Sequence, residues 1–183
     1  MRMKTCLIPG SFDPFTIGHY RIAMAASQLF PFVVIGVAKN PNKHESMFSV
    51  STRVKMIEAS VAGYKNIKVV HYDCATVTFC AENNIEFIVR GCRNGSEFDS
   101  ELINKCINDS LSHKTVETII IPTDPTVSYI SSSLVRECIN QNLDKWKSYV
   151  VREAVPILEQ ALAEEHIYEK KLTEIMGLVC NKT

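Results

Sequence analysis

Five short runs of β-branched and apolar residues alternate along this chain with longer stretches whose apolar residues recur three and four apart. Few architectures accept that alternation. Strands expected at 5–8, 32–38, 67–72, 86–89 and 117–121, each closed by Pro, Gly or a polar turn, fit a parallel sheet with helices on its faces. The run Phe32–Ala38 is apolar almost without a break, as a strand covered on both sides should be. The intervening helices are expected at 19–30 on Ile22, Ala25, Ala26, Leu29 and Phe30, and from Val50 to about Gly63 with Ser51 or Thr52 as cap. Further helices are expected at 76–84, along the stripe Phe98, Leu102 and Cys106, and from the triple serine Ser131-Ser132-Ser133.

That order predicts an α/β fold: a doubly wound, Rossmann-like, five-stranded parallel sheet. Its core should fill about 1–148, with a helical C-terminal extension over 149–183 packed on the same subunit by Val155, Leu158, Leu162, Ile167 and Ile175. With 183 residues and 46% hydrophobic content, one domain with one core is expected. Twenty Lys plus Arg balance twenty Asp plus Glu, so a broad electrostatic footprint for nucleic acid is excluded and any anion must be held locally. Seven cysteines, odd in number and without a C-x-x-C pair, point to small buried hydrophobes in a reducing, cytoplasmic setting. The basic start at Met1–Lys4 lacks a signal-peptide core, because Pro9 and Gly10 cut the apolar run that follows. No stretch approaches the roughly 20 apolar residues of a membrane span, and His44, His71, His113 and His166 have no partner at metal-ligand spacing.

The unusual polar residues gather where the expected strands end, which is where ligands of doubly wound sheets sit. PGSFDPFTIGH follows the first strand, NPNKHE the second, RGCRNGSEF the fourth, and a loop ending in ISSSLVRE the fifth. Gly10 is expected to let backbone amides approach a ligand. Thr16-Ile17-Gly18-His19 and Ser131-Ser132-Ser133 each open a helix, whose free N–H groups and dipole favour anions. With Lys43, Arg90 and Arg93 added, the set suits a polyphosphate better than a single carboxylate.

PGSFDPFTIGH, NPNK, RGCR, the later Glu101 and YISSSLVRE, in that order, resemble the HIGH-type nucleotidyltransferase superfamily and, within it, bacterial phosphopantetheine adenylyltransferases, over about residues 5–152. The resemblance implies adenylyl transfer from ATP to 4′-phosphopantetheine, giving dephospho-coenzyme A and pyrophosphate in coenzyme A biosynthesis. Two alternatives stay open: transfer to another phosphorylated acceptor, and a nucleotide-binding module without turnover. The resemblance implies catalytic roles for His19, Lys43 and Arg93. It implies nucleotide contacts at Ser11, Phe12, Gly18, His19, Gly91, Arg93, Glu101, Val127 and Ser131 to Ser133, with Gly18 allowing close approach of the helix. Acceptor contacts would come from Ser11, Lys43, Ala75, Thr76, Arg90, Asn108 and Glu137. It also implies a homohexamer. Adenylyl transfer further calls for Mg²⁺ on the triphosphate, as in other such transfers, and with no dense carboxylate site in the sequence the ion is expected to be held mainly by ATP, with no protein metal site. Where relatives carry larger aliphatic residues against the pantetheine arm this chain has Ala75 and Thr76, and Asn104 stands in a usually apolar place.

Overall fold

The computed structural model describes residues 4–38 and 46–164. Five strands, β1 (Thr5–Gly10), β2 (Phe32–Ala38), β3 (Ile67–Tyr72), β4 (Phe87–Cys92) and β5 (Glu117–Pro122), form one parallel sheet in the order β3-β2-β1-β4-β5. The helices are α1 (Ile17–Leu29), α2 (Val50–Val61), α3 (Thr76–Glu82), α4 (Gly95–Leu111) and α5 (Ser132–Asn140). Strand order reverses between β1 and β4. β1 holds register with β2 over six pairs but with β4 over only Cys6↔Phe87 and Leu7↔Ile88. Beyond Leu7 the two strands no longer pair, which opens a crevice at their carboxyl ends.

Three strands run further than their turn residues suggest. Pro9 and Gly10 stay in β1, paired with Gly36 and Val37. A proline fits there because the β4 side of the ladder has already ended. Arg90, Gly91 and Cys92 stay in β4, and Pro122 stays in β5 at the sheet edge, where it is likewise tolerated. Helix starts also move. Thr16, not His19, opens α1; Ser49, rather than Ser51 or Thr52, caps α2 by accepting from the Thr52 N–H at 3.1 Å.

The main core joins β1, β2, α1 and α2 to the C-terminal segment. Tight turns at Asp144–Ser148 and Arg152–Ala154 lead to helix over 155–164, and Trp146, Tyr149, Val150, Ala154 and Leu158 are buried in the same cluster as Ile8, Ile35 and Met56. The Tyr149 carbonyl accepts from the Ile17 N–H at 2.9 Å, so the first orphan amide of α1 is satisfied by the C-terminal segment. Val155 and Leu162 pack against this core as expected, while Ile167 and Ile175 lie outside the described residues. One expectation is corrected. Cys74 and Cys106 are exposed rather than buried; Cys180 lies outside the described residues. The apolar stripe of α4 faces outward: Phe98 and Leu102 are about two-fifths exposed, Ile103 is 62% and Leu111 61% exposed, and the buried residue of this helix is Glu101.

Candidate active site

Two adjoining cavities, each of about 370 Å³, sit at the open ends of β1 and β4. The first gathers Ser11, Phe12, Gly18, His19, Gly91, Arg93, Glu101 and Ser131 to Ser133. Ser11, Thr76, Arg90 and Asn108 line the second, together with Asn104 and Ile107; Ser11 and Arg90 belong to both. Three expected residues lie elsewhere. Val127 is buried in the core; Ala75 is exposed at the start of α3; Glu137 is exposed on α5, where it accepts a hydrogen bond from Gln141. Lys43 lies outside the described residues.

His19 is built into the start of α1. Thr16 caps the helix, and the Thr16 N–H donates to His19 Nδ1 at 3.0 Å, a capping box with histidine in the position usually held by Glu or Gln. Because Nδ1 accepts, the neutral ring carries its proton on Nε2. Phe15 stacks on the ring at 5.6 Å between centroids and Phe12 meets it edge-on at 5.2 Å. Burial first, then the charges of Arg93 and Arg90, push the His19 pKa down to about 4. At neutral pH His19 is therefore an uncharged N–H donor with fixed orientation.

Gly10 serves a different purpose from the one its place in the motif suggests. A Cβ there would meet the Phe12 ring at 2.7 Å, so the missing side chain makes room for that ring. A Cβ on Gly18 would meet nothing nearer than Thr16 Oγ1 at 3.5 Å, an ordinary contact, so close helix approach does not demand glycine there.

The charged groups of the crevice are paired. Glu101 accepts from Arg90 Nε at 2.9 Å and Nη2 at 2.7 Å, while Arg90 Nη1 donates to the Pro9 carbonyl at 2.7 Å. Two of the five guanidinium N–H donors are left over. Arg93 forms a bidentate pair with Glu97; burial alone would raise the Glu97 pKa, but the hydrogen bonds and charge of Arg93 carry it below the usual carboxylate range. At the start of α5, Ser131 caps by accepting from the Leu134 N–H at 3.0 Å and Ser132 Oγ donates to the Pro14 carbonyl at 2.9 Å. The hydroxyls thus anchor the helix, leaving its first backbone amides as the anion donors.

Thr16, expected at the anion-favouring helix start, also lines the first cavity, as do Glu97, Thr123 and Ile130, to which sequence reasoning assigned no site role. Glu97 was readable, lying four residues after Arg93 and three after the cap Asn94. Thr123 and Ile130 carry no local signal; only the fold brings them in.

Comparison with known proteins agrees with this geometry. A family model described as cytidylyltransferase-like matches residues 7–138. The phosphopantetheine adenylyltransferase of Bacteroides fragilis is 39% identical over 142 residues, 78% of this chain and 93% of that protein. The Phocaeicola vulgatus protein of the same name is 40% identical over 78% of this chain and 92% of its own length. That of Streptomyces coelicolor is 38% identical over 162 residues, 88% of this chain and 97% of its own. With such relatives matched over nearly their whole length, the chain belongs to the phosphopantetheine adenylyltransferase family of nucleotidyltransferases.

Proposed function

We propose that the protein transfers the adenylyl group of ATP to 4′-phosphopantetheine, the step of coenzyme A biosynthesis that yields dephospho-coenzyme A and pyrophosphate. The observation that carries this reading is the double cavity, with a neutral histidine donor and an α5 N-terminus in one lobe and Arg90 shared with the other. An acceptor phosphate oxygen forms a bond to the α-phosphorus in line, the bond from that phosphorus to the bridging oxygen breaks, and pyrophosphate departs with the electron pair. Catalysis is then positioning and electrostatics. His19 Nε2–H and Arg93 meet the charge developing on the α-phosphate, and the Ser132 and Ser133 amides receive the leaving pyrophosphate. Glu101 and Gly91 face the nucleoside in the first cavity. Arg90, Thr76 and Asn108 take the acceptor in the second, with Lys43 assigned to its phosphate by family resemblance.

Mg²⁺ would enter with ATP and neutralise charge on the triphosphate. In support, the cavity carboxylates Glu97 and Glu101 are both held by arginines, which leaves the triphosphate oxygens as the ion's main ligands. We read the protein as cytoplasmic, acting on small molecules rather than nucleic acid or membranes. No helix among the described residues is long and apolar enough to cross a membrane.

Pyrophosphate release, measured with ATP and a panel of phosphorylated acceptors, tests the reading. 4′-Phosphopantetheine should be turned over and dephosphorylated pantetheine should be inert; turnover of nicotinamide mononucleotide alone would displace 4′-phosphopantetheine as the acceptor.

We also propose a homo-oligomer, a hexamer by family resemblance, with the outward face of α4 against a second copy. Leu102, Ile103, Ile107 and Leu111 make a contiguous exposed stripe of the kind that marks an interface. Light scattering should give a mass well above the monomer for the wild type and a smaller species for Ile103→Asp combined with Leu111→Asp. A monomeric wild type would dismiss the interface.

A further inference from the structure

The stretch from Pro9 to Pro14, the end of β1 and the loop after it, has carbonyls taken by side chains from three different elements. Arg90 on β4 donates to the Pro9 carbonyl at 2.7 Å, Arg53 on α2 to Ser11 at 2.6 Å, and Arg136 on α5 to Asp13 at 2.6 Å. Ser132 holds the Pro14 carbonyl at 2.9 Å. Arg53 and Arg136 line neither cavity, so they act through the loop and not on a ligand.

Their targets matter because a carbonyl oxygen turned toward a phosphate would repel it. Pinning the Ser11 oxygen against a guanidinium points the negative end of that peptide at a cation and, across a trans peptide, the Phe12 N–H the opposite way. Phe12 sits in the left-handed region at φ 48°, which is sterically costly for a bulky residue and persists only where its surroundings hold it. Arg53 is 4% exposed, donates to Ser11 and leaves Nε unpartnered; a buried guanidinium used for one main-chain carbonyl serves placement. The Asp13 carboxylate, which accepts from the Met47 and Phe48 amides at 3.0 and 2.9 Å, ties the same loop to the entry of α2 and faces both arginines.

We propose that Arg53 and Arg136 are positioning residues that set the peptide orientation of the Ser11–Asp13 loop for nucleotide phosphates while touching no substrate. This rests on the nucleotide reading of the first cavity. The test uses full-length Arg53→Met, Arg53→Lys and Arg136→Met. ATP affinity is measured by calorimetry without acceptor, and kcat and KM with ATP and 4′-phosphopantetheine. Arg53→Met should lower kcat by about tenfold to a hundredfold, as a misplacement near 1 Å does. It should also weaken ATP binding while the acceptor KM moves less than about threefold, since the acceptor's arm contacts are untouched. Arg53→Lys keeps one donor for the Ser11 carbonyl and should recover most of the loss. A folded Arg53→Met with wild-type kcat and ATP affinity overturns the proposal, as does a lysine variant as impaired as methionine. If Arg53→Met does not fold, Arg136→Met decides by the same kinetic criteria. A wild type that binds ATP yet leaves 4′-phosphopantetheine unreacted would refute the acceptor reading alone, because calorimetry still judges the loop.

Discussion

His19→Ala is expected to lower kcat by about a hundredfold or more while ATP still binds, because loss of one preorganised transition-state donor costs roughly 2.7–4 kcal/mol. The Thr16 bond to Nδ1 fixes the donor on Nε2, and alanine removes that donor. Stopped assays with saturating substrates would measure the effect; near-normal turnover would take His19 out of the reaction. The same residue makes a pH prediction. Its folded pKa of about 4 lies below the ordinary histidine value of 6.5, so the unfolded chain takes up the proton first on acidification. The stability owed to the neutral ring is whole above pH 6.5 and lost as pH falls toward 4. Between pH 6 and 8 His19 should contribute no limb to the rate profile. NMR titration of its ring should place the midpoint near 4, and Arg93→Met should raise it by removing a repelling charge.

Arg90→Ala is expected to destabilise the fold by about 3 kcal/mol, the lower end of the range for breaking a buried pair, since the Arg90 side chain is about a third exposed. The cost arises at Glu101, 8% exposed, whose carboxylate would lose both guanidinium bonds and keep only Asn104 Nδ2 at 3.4 Å. Urea unfolding followed by Trp146 fluorescence would measure it. Combining Arg90→Met with Glu101→Met should restore most of the loss, because no orphaned charge then remains. A loss under about 1 kcal/mol for the single variant would mean that solvent screens the pair as it does surface pairs.

Much of the fold and the site was legible in the residues. The β-branched runs of β1 to β5 and the order of the motifs after them are enough to place the crevice at the β1 and β4 ends. Strand ends were harder, because Pro9, Gly10 and Pro122 carry turn propensity that a neighbour's register overrides. The α4 pattern announced its helix correctly, but periodicity reports that a helix has an apolar face, not which way it points, and here the inward position belongs to Glu101. Val127, given a nucleotide contact by resemblance, fills the core, while Ala75 and Glu137 are exposed and are not among the residues lining the two cavities. Gly10 shows that a motif position can be read correctly for the wrong cause, since its space is taken by an aromatic ring two residues on.

The ties that bring distant residues to the first motif have a consequence for its timing. Arg136 reaches back 123 positions to the Asp13 carbonyl, and Ser132 reaches 118 to Pro14. During synthesis at about 5–20 residues per second, those partners appear roughly 6–25 s after the loop they hold. The Ile17 amide waits longer still, for Tyr149. A nascent chain released before α5 emerges would carry the whole of PGSFDPFTIGH and still lack the contacts that shape it, so partial translation products should be incompetent for adenylyl transfer however complete their motif.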